Sequence, residues 1–270
     1  MNSLSVGPIG GHLGAPRLAP AESRASDWID SRVLAEQRRG VESVSGAVRR
    51  KVGDAWLTLA LRVHRGVVDG SRMTLELMAV GAPAEILDRS EASCAELTDV
   101  SAMAFGVASA YLEGPRSPGG LEEPQSLRVE PAGLAAGIFC EDFFGGEVAL
   151  GVHQALRRTT LEPEIAPIVE AICSAARNRL ELARAALLWL LGGPASGAIK
   201  TLEDVSPAQI TWEGFAPFTA PESLDNVDAR DPALERRGLL SLEALEELGA
   251  RYLEQALPRL RSELSRKACH

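Results

Sequence analysis

The chain has 270 residues, 46% of them hydrophobic and 24% charged, and a net charge of −9. It is long enough to bury a sizeable core, as one large domain or a domain with extensions. The acidic balance argues against a broad surface for nucleic acid or anionic membrane.

Aromatic residues make up only 4%, while Ala, Leu and Glu are plentiful, which favours helix over sheet. Cys94, Cys140, Cys173 and Cys269 are widely spaced, with no C-x-x-C pair. Three of them fall on apolar helical faces, where a thiol behaves as a small hydrophobe, so a reduced, cytoplasmic protein is expected. The opening MNSLSVGPIGGHLGAPRLAP has neither a basic start nor a continuous apolar core, unlike a secretory signal. No window approaches 18 uncharged apolar residues, which excludes an ordinary transmembrane helix.

In chain order, residues 1–47 read as a loosely packed arm followed by a short helix. Ser26-Asp27-Trp28 can cap that helix, which runs to about Gln37. A first long helix spans about 49–80, with Trp56, Leu59, Val63, Val67, Leu75 and Met78 at helical spacing. Gly81-Ala82-Pro83 ends it and opens a second, about 84–113. So short a turn makes the two antiparallel neighbours.

The stretch from Glu113 to Pro131 is non-periodic. About 17 residues at ~3.3 Å each can span ~55 Å, more than the length of a 25-residue helix. A third helix over about 132–159 and a fourth over 163–191 then form a second antiparallel pair. Ile165, Ile168, Val169, Ile172, Ala176, Ala183, Leu187 and Leu190 mark the buried face of the fourth. Residues 193–238 form an irregular excursion, with Trp212, Phe215 and Phe218 as anchors. A last helix is expected within 239–270, from about Leu239 to Leu264, with Pro258 kinking it or marking a break near its end.

Three phrases carry a family resemblance: LELMAVGAP closing the first long helix, AFGVASAYLEG closing the second, and CEDFFGGEVAL opening the third. Together with the text around Ala176-Arg177-Asn178-Arg179, residues 48–192 resemble bacterial ferritin-like-domain proteins. The resemblance implies an all-α, ferritin-like four-helix bundle: two antiparallel helix pairs joined by a long crossover, here with an additional C-terminal helix. In that superfamily two helices each give one inward Glu to a di-metal centre, and the other two each give Glu-x-x-His.

Counted from those phrases, the ligand positions carry Val63, Leu97, Val100, Gly146, Ala176 and Arg179. None offers a side chain that ordinarily binds iron. The histidines are His12, His64, His153 and His270, and none has an acidic residue three positions before it. A Glu-x-x-His motif is therefore impossible in this chain. The resemblance implies the fold but transfers the family's oxidoreductase chemistry poorly.

A residual polar site is expected from His64, Asp69, Asp99, Glu147 and Arg179. Arg179 stands one turn after Ala176 on the inward face, where a cation could replace the metal's charge and pair with Asp69, Glu96 or Asp99. The competing arrangement lays its stem along the bundle and its guanidinium in solvent. Glu147 would point inward only if a one-residue bulge rotated it by ~100°. Gly66, Gly70, Gly145, Gly146 and Gly151, inside expected helices, imply either close approach of the first and third helices or an emptied apolar centre.

No G-x-S-x-G, Walker or G-x-G-x-x-G signature is present. The expected function is that of a pseudoenzyme that has lost its di-metal site and needs no cofactor. It would act as a non-catalytic binding or assembly partner, with another protein or as a homo-oligomer, and without nucleic acid or membrane. The alternatives are a divergent di-iron or di-manganese oxidoreductase rearranged around His64 and Glu147, and a small-molecule binder using the bundle centre.

Overall fold

The computed structural model describes residues 29, 31–41, 44–119, 127–198, 236 and 237, and four single positions at 251, 254, 258 and 262. Among them the regular secondary structure is helical, apart from one isolated bridge residue at Pro118. No described helix is long and apolar enough to cross a membrane.

The first helix, α1 (Ser31–Val41), runs past the expected end at residue 37. Arg38 and Arg39 are good helix formers, and Val41 gains burial by staying in register. Its buried Gln37 amide donates to the Glu164 carbonyl at 2.8 Å. The capping residues expected at 26–28 lie outside the described residues.

Two long helices follow, α2 (Gly46–Ala79) and α3 (Ala84–Tyr111), packed side by side. Their turn shows why LELMAVGAP stops a helix. Gly81 takes φ +75, a left-handed conformation that glycine adopts without steric cost. The Ala82 N–H donates to the Leu77 carbonyl and the Gly81 N–H to the Met78 carbonyl, which satisfies the last turn of α2.

The third expected helix is present but irregular. It begins as α4 (Pro131–Gly137), continues as a π-helical segment (Ile138–Phe144) and resumes as α5 (Gly145–Thr159). Gly137 and Gly145 keep right-handed helical angles on either side, so the axis is not broken. Six of the seven π residues are buried, all but Glu141. The wider turn faces more of this apolar run inward than an α-turn would. Phe144 lies edge-on to both Phe139 and Phe143, at centroid distances of 4.9 and 5.8 Å.

The last long helix, α6 (Ala166–Gly192), packs against α3, the π segment and α5. Gly192-Gly193-Pro194 ends it, and a 3-10 turn follows at Ser196–Ala198.

Helix directions follow from the contacts. Glu113, just after α3, pairs with Arg49 near the start of α2. Arg128, just before α4, pairs with Glu76 near the end of α2. The two described ends of this connection are therefore separated by the ~40 Å of α2 between Arg49 and Glu76. The helix from α4 to α5 thus runs in the same direction as α3.

The core divides along this axis. One apolar cluster joins Met73 and Leu77 of α2 to the π-segment phenylalanines and to Leu180–Leu191 of α6. The other joins Trp56, Ala60 and Val63 to Phe105, Val152, Leu156 and Ile165–Ala175. At that second end the Trp56 indole donates to the Arg237 carbonyl at 3.1 Å, and the Leu161 N–H to the Arg236 carbonyl at 3.0 Å.

Trp212, Phe215 and Phe218 lie outside the described residues, as does most of the expected 239–264 helix. Positions 251, 254, 258 and 262 are helical, Pro258 among them.

Candidate functional site: a belt of ion pairs at the junction of the two cores

The six positions counted as metal ligands are apolar or glycine in space as well as in sequence, except Arg179. Val63, Leu97 and Val100 are buried in the second cluster. A Cβ on Gly146 would stand 3.2 Å from Leu180 Cδ1, so this position faces α6. Ala176 is half-buried on α6.

Arg179 turns inward. Its Nη1 donates to the Gly66 carbonyl at 2.6 Å and its Nη2 to Asp142 Oδ1 at 2.8 Å. The expected partners were Asp69, Glu96 and Asp99. The ion-pair partner is instead Asp142, which is buried and lies on the π segment. Asp69 acts on Arg179 through its charge while pairing with Arg65 at 3.3 Å. Glu96 accepts from the Asn178 amide, at 2.9 Å for the shorter bond, and Asp99 is exposed. Burial works to lower the pKa of the Arg179 guanidinium, but Asp142 and Asp69 outweigh it and hold the value above the usual one.

The glycines serve this arginine. A Cβ on Gly70 would stand 2.8 Å from Cys94 Sγ and 3.2 Å from Arg179 Nη1, and one on Gly66 3.4 Å from Leu97 Cδ1. Gly70 therefore admits α3 and the α6 guanidinium, while a Cβ at Gly66 would make only ordinary contacts with the same two neighbours; the third helix is the neighbour expected from the sequence. Side chains occupy the space expected as an emptied centre beside these two residues.

Four residues that the sequence reading missed extend the belt towards the end of α2. Glu76 is fully buried. It receives the Arg128 backbone N–H at 3.0 Å, Nε at 2.9 Å and Nη2 at 2.8 Å. Glu141 joins Arg72 at 2.6 Å to Arg128 at 3.1 Å. Arg128 reaches Glu76 by passing over Gly137, where a Cβ would collide with its guanidinium. Burial works to lower the Arg128 pKa, but the bonds it donates to Glu76 and the charge of Glu141 raise it above the usual value. A signal for Glu76 existed: it sits between Met73 and Leu77 on the buried face, where a carboxylate demands a partner.

Each carboxylate of the belt meets a guanidinium: Asp69 with Arg65, Glu76 with Arg128, Glu141 with Arg72 and Arg128, and Asp142 with Arg179. Arginine suits such sites because its planar fork matches a carboxylate and it stays charged when buried. Among the described residues no group of three or more His, Cys, Asp or Glu side chains could hold a metal ion.

His64 is buried, its ring edge-on to Phe105 at 6.4 Å, and burial lowers its pKa. His153 of α5 is also buried; burial, then the Arg62 charge, push its pKa down to about 4. Glu147 is half-buried in the first turn of α5. The π segment that precedes it is a bulge of the kind its rotation required, and the carboxylate held inward by that segment is Asp142.

No family model matches this chain, and no curated protein or solved structure matches it.

Proposed function

We propose that the protein is a ferritin-like scaffold in which arginine–carboxylate pairs stand where relatives would hold two metals, and that it works in the cytoplasm as a non-catalytic binding or assembly partner. The observation that carries this reading is the guanidinium of Arg179, held inside the helices by Asp142 and the Gly66 carbonyl. A di-metal centre needs several carboxylate or imidazole ligands around one point. The residues present do not fit one: Val63, Leu97, Val100, Gly146 and Ala176 donate nothing, and Arg179 brings a positive charge.

The connection between α3 and α4 supports the ferritin-like reading. Its two described ends lie at opposite ends of α2, as a long crossover between two antiparallel pairs requires. The ion pairs also give the scaffold an internal charge balance without an ion.

The test is elemental analysis of protein expressed with iron and manganese supplied, read per chain. Metal near zero is expected. One or two tightly held metals per chain would overturn the metal-free reading and make His64 and Glu147 the first ligands to substitute.

A further inference from the structure

Large apolar side chains stand exposed in one corner of the fold. Leu75 and Met78 are 53% and 56% exposed on α2, on either side of Glu76 in sequence. Leu127 and Val129 are 41% and 57% exposed and flank Arg128. Three bonds between Arg128 and Glu76 bring the two stretches together, so four exposed apolar side chains are carried by the backbone on either side of one part-buried ion pair. The bonds also fix residues 127–129 in place, so the corner is preorganised, which lowers the ordering cost of binding.

The charges on the neighbouring helix starts discriminate between occupants. Glu85 and Asp88, in the first turns of α3, and Glu130, at the start of α4, are exposed. Arg89, half-buried after Asp88, offsets part of this, while Arg72 and Arg128 are engaged in the network. A second copy would bring an acidic rim against an acidic rim on chains of net charge −9. The chain's own segment 239–264 carries five acidic residues against three arginines. Like charges at a rim disfavour both occupants, and opposite charges favour a foreign one.

We infer that the corner formed by Leu75, Met78, Leu127 and Val129 docks a basic amphipathic helix of a partner protein, its apolar stripe on these side chains and its Lys or Arg residues against the acidic rim. This rests on the binding-partner reading but not on the loss of the metal site. Metal content tests one and leaves the other untouched.

The test uses the full chain and a fluorescent model helix of leucine and lysine, about 18 residues or five turns long. A matched leucine–glutamate peptide is the control. Binding is followed by anisotropy for the wild type and for L75S/M78S, which keeps every charge. The expected result is saturable binding of the basic peptide, weakened roughly tenfold or more in L75S/M78S and by added salt, with no binding of the acidic peptide. Equal affinity in wild type and variant would reduce the effect to general charge attraction and overturn the proposal. So would a wild type that fails to bind below about millimolar peptide, or light scattering that shows a dimer which L75S/M78S makes monomeric.

Discussion

Arg179 Nη2 lies 2.8 Å from Asp142 Oδ1, while Nη1 of the same guanidinium donates to the Gly66 carbonyl at 2.6 Å. One side chain thus ties α6 to both the π segment and α2. Its side chain is 16% exposed and that of Asp142 6%, so water contributes little to either charge. Removing one partner strands the other. Arg179→Met should cost roughly 3–5 kcal/mol in urea unfolding, and Asp142→Leu a similar amount. The double variant, which buries no charge, should return to within about 1 kcal/mol of the wild type. An Arg179→Met protein as stable as the wild type would remove the central ion pair from the account.

Gly66 and Gly70 occupy the same stretch of α2 but answer alanine differently. At Gly66 the new methyl would meet Leu97 Cδ1 at 3.4 Å, an ordinary contact, and helix propensity favours alanine by ~1 kcal/mol. Gly66→Ala should be neutral or stabilising. At Gly70 the methyl would meet Cys94 Sγ at 2.8 Å and Arg179 Nη1 at 3.2 Å. Gly70→Ala should therefore destabilise by about 1–3 kcal/mol, and Cys94→Ala in the same chain should recover most of it. Equal effects at the two positions would show that the guanidinium is not seated where these contacts put it.

The helices were legible because apolar periodicity and turn chemistry are local. Gly81-Ala82-Pro83 and Gly192-Gly193-Pro194 mark ends that fall within a residue or two of those expected. The π segment was not legible, since a wider turn has no residue of its own; its cause is the packing of Phe139, Phe143 and Phe144. For the site, periodicity placed Arg179 on the inward helix face but left open whether its guanidinium turned in or reached solvent, and it could not name Asp142. That pairing depends on the π register and on which helix lies opposite, neither of which spacing encodes. Glu76 and Arg128 meet across 52 residues of sequence, out of reach of any local signal.

Gly137 offers a second case where a missing side chain makes room for an arginine. A Cβ there would collide with the Arg128 guanidinium. Gly137→Ala should therefore destabilise the wild type by about 2 kcal/mol, despite a helix propensity that favours alanine. Arg128→Ala alone should cost roughly 3–5 kcal/mol by leaving the Glu76 carboxylate buried and uncompensated. In that background Gly137→Ala should become neutral or stabilising by up to ~1 kcal/mol, a change of sign that a double-mutant cycle reads directly. If alanine costs the same in both backgrounds, Arg128 does not cross over Gly137.

His153 makes stability depend on acid in a definite window. Burial, with the Arg62 charge beside it, pushes its folded pKa down to about 4, against 6.5 for the ordinary side chain. Above about pH 6.5 the ring is neutral in both states and contributes no slope. As the pH falls from 6.5 towards 4, the unfolded chain takes up a proton that the folded one refuses, so the folded state loses ground. Below about 4 both states are protonated and the loss stops growing. A difference of ~2.5 units corresponds to about 3 kcal/mol over the window. His64, lowered in the same direction by burial, adds to the loss. His153→Leu should flatten the pH dependence of urea unfolding between pH 6.5 and 4 while leaving the contribution of His64. An unchanged slope in that variant would mean that His153 takes its proton in the folded protein near its ordinary pKa, and the burial of its ring would have to be reconsidered.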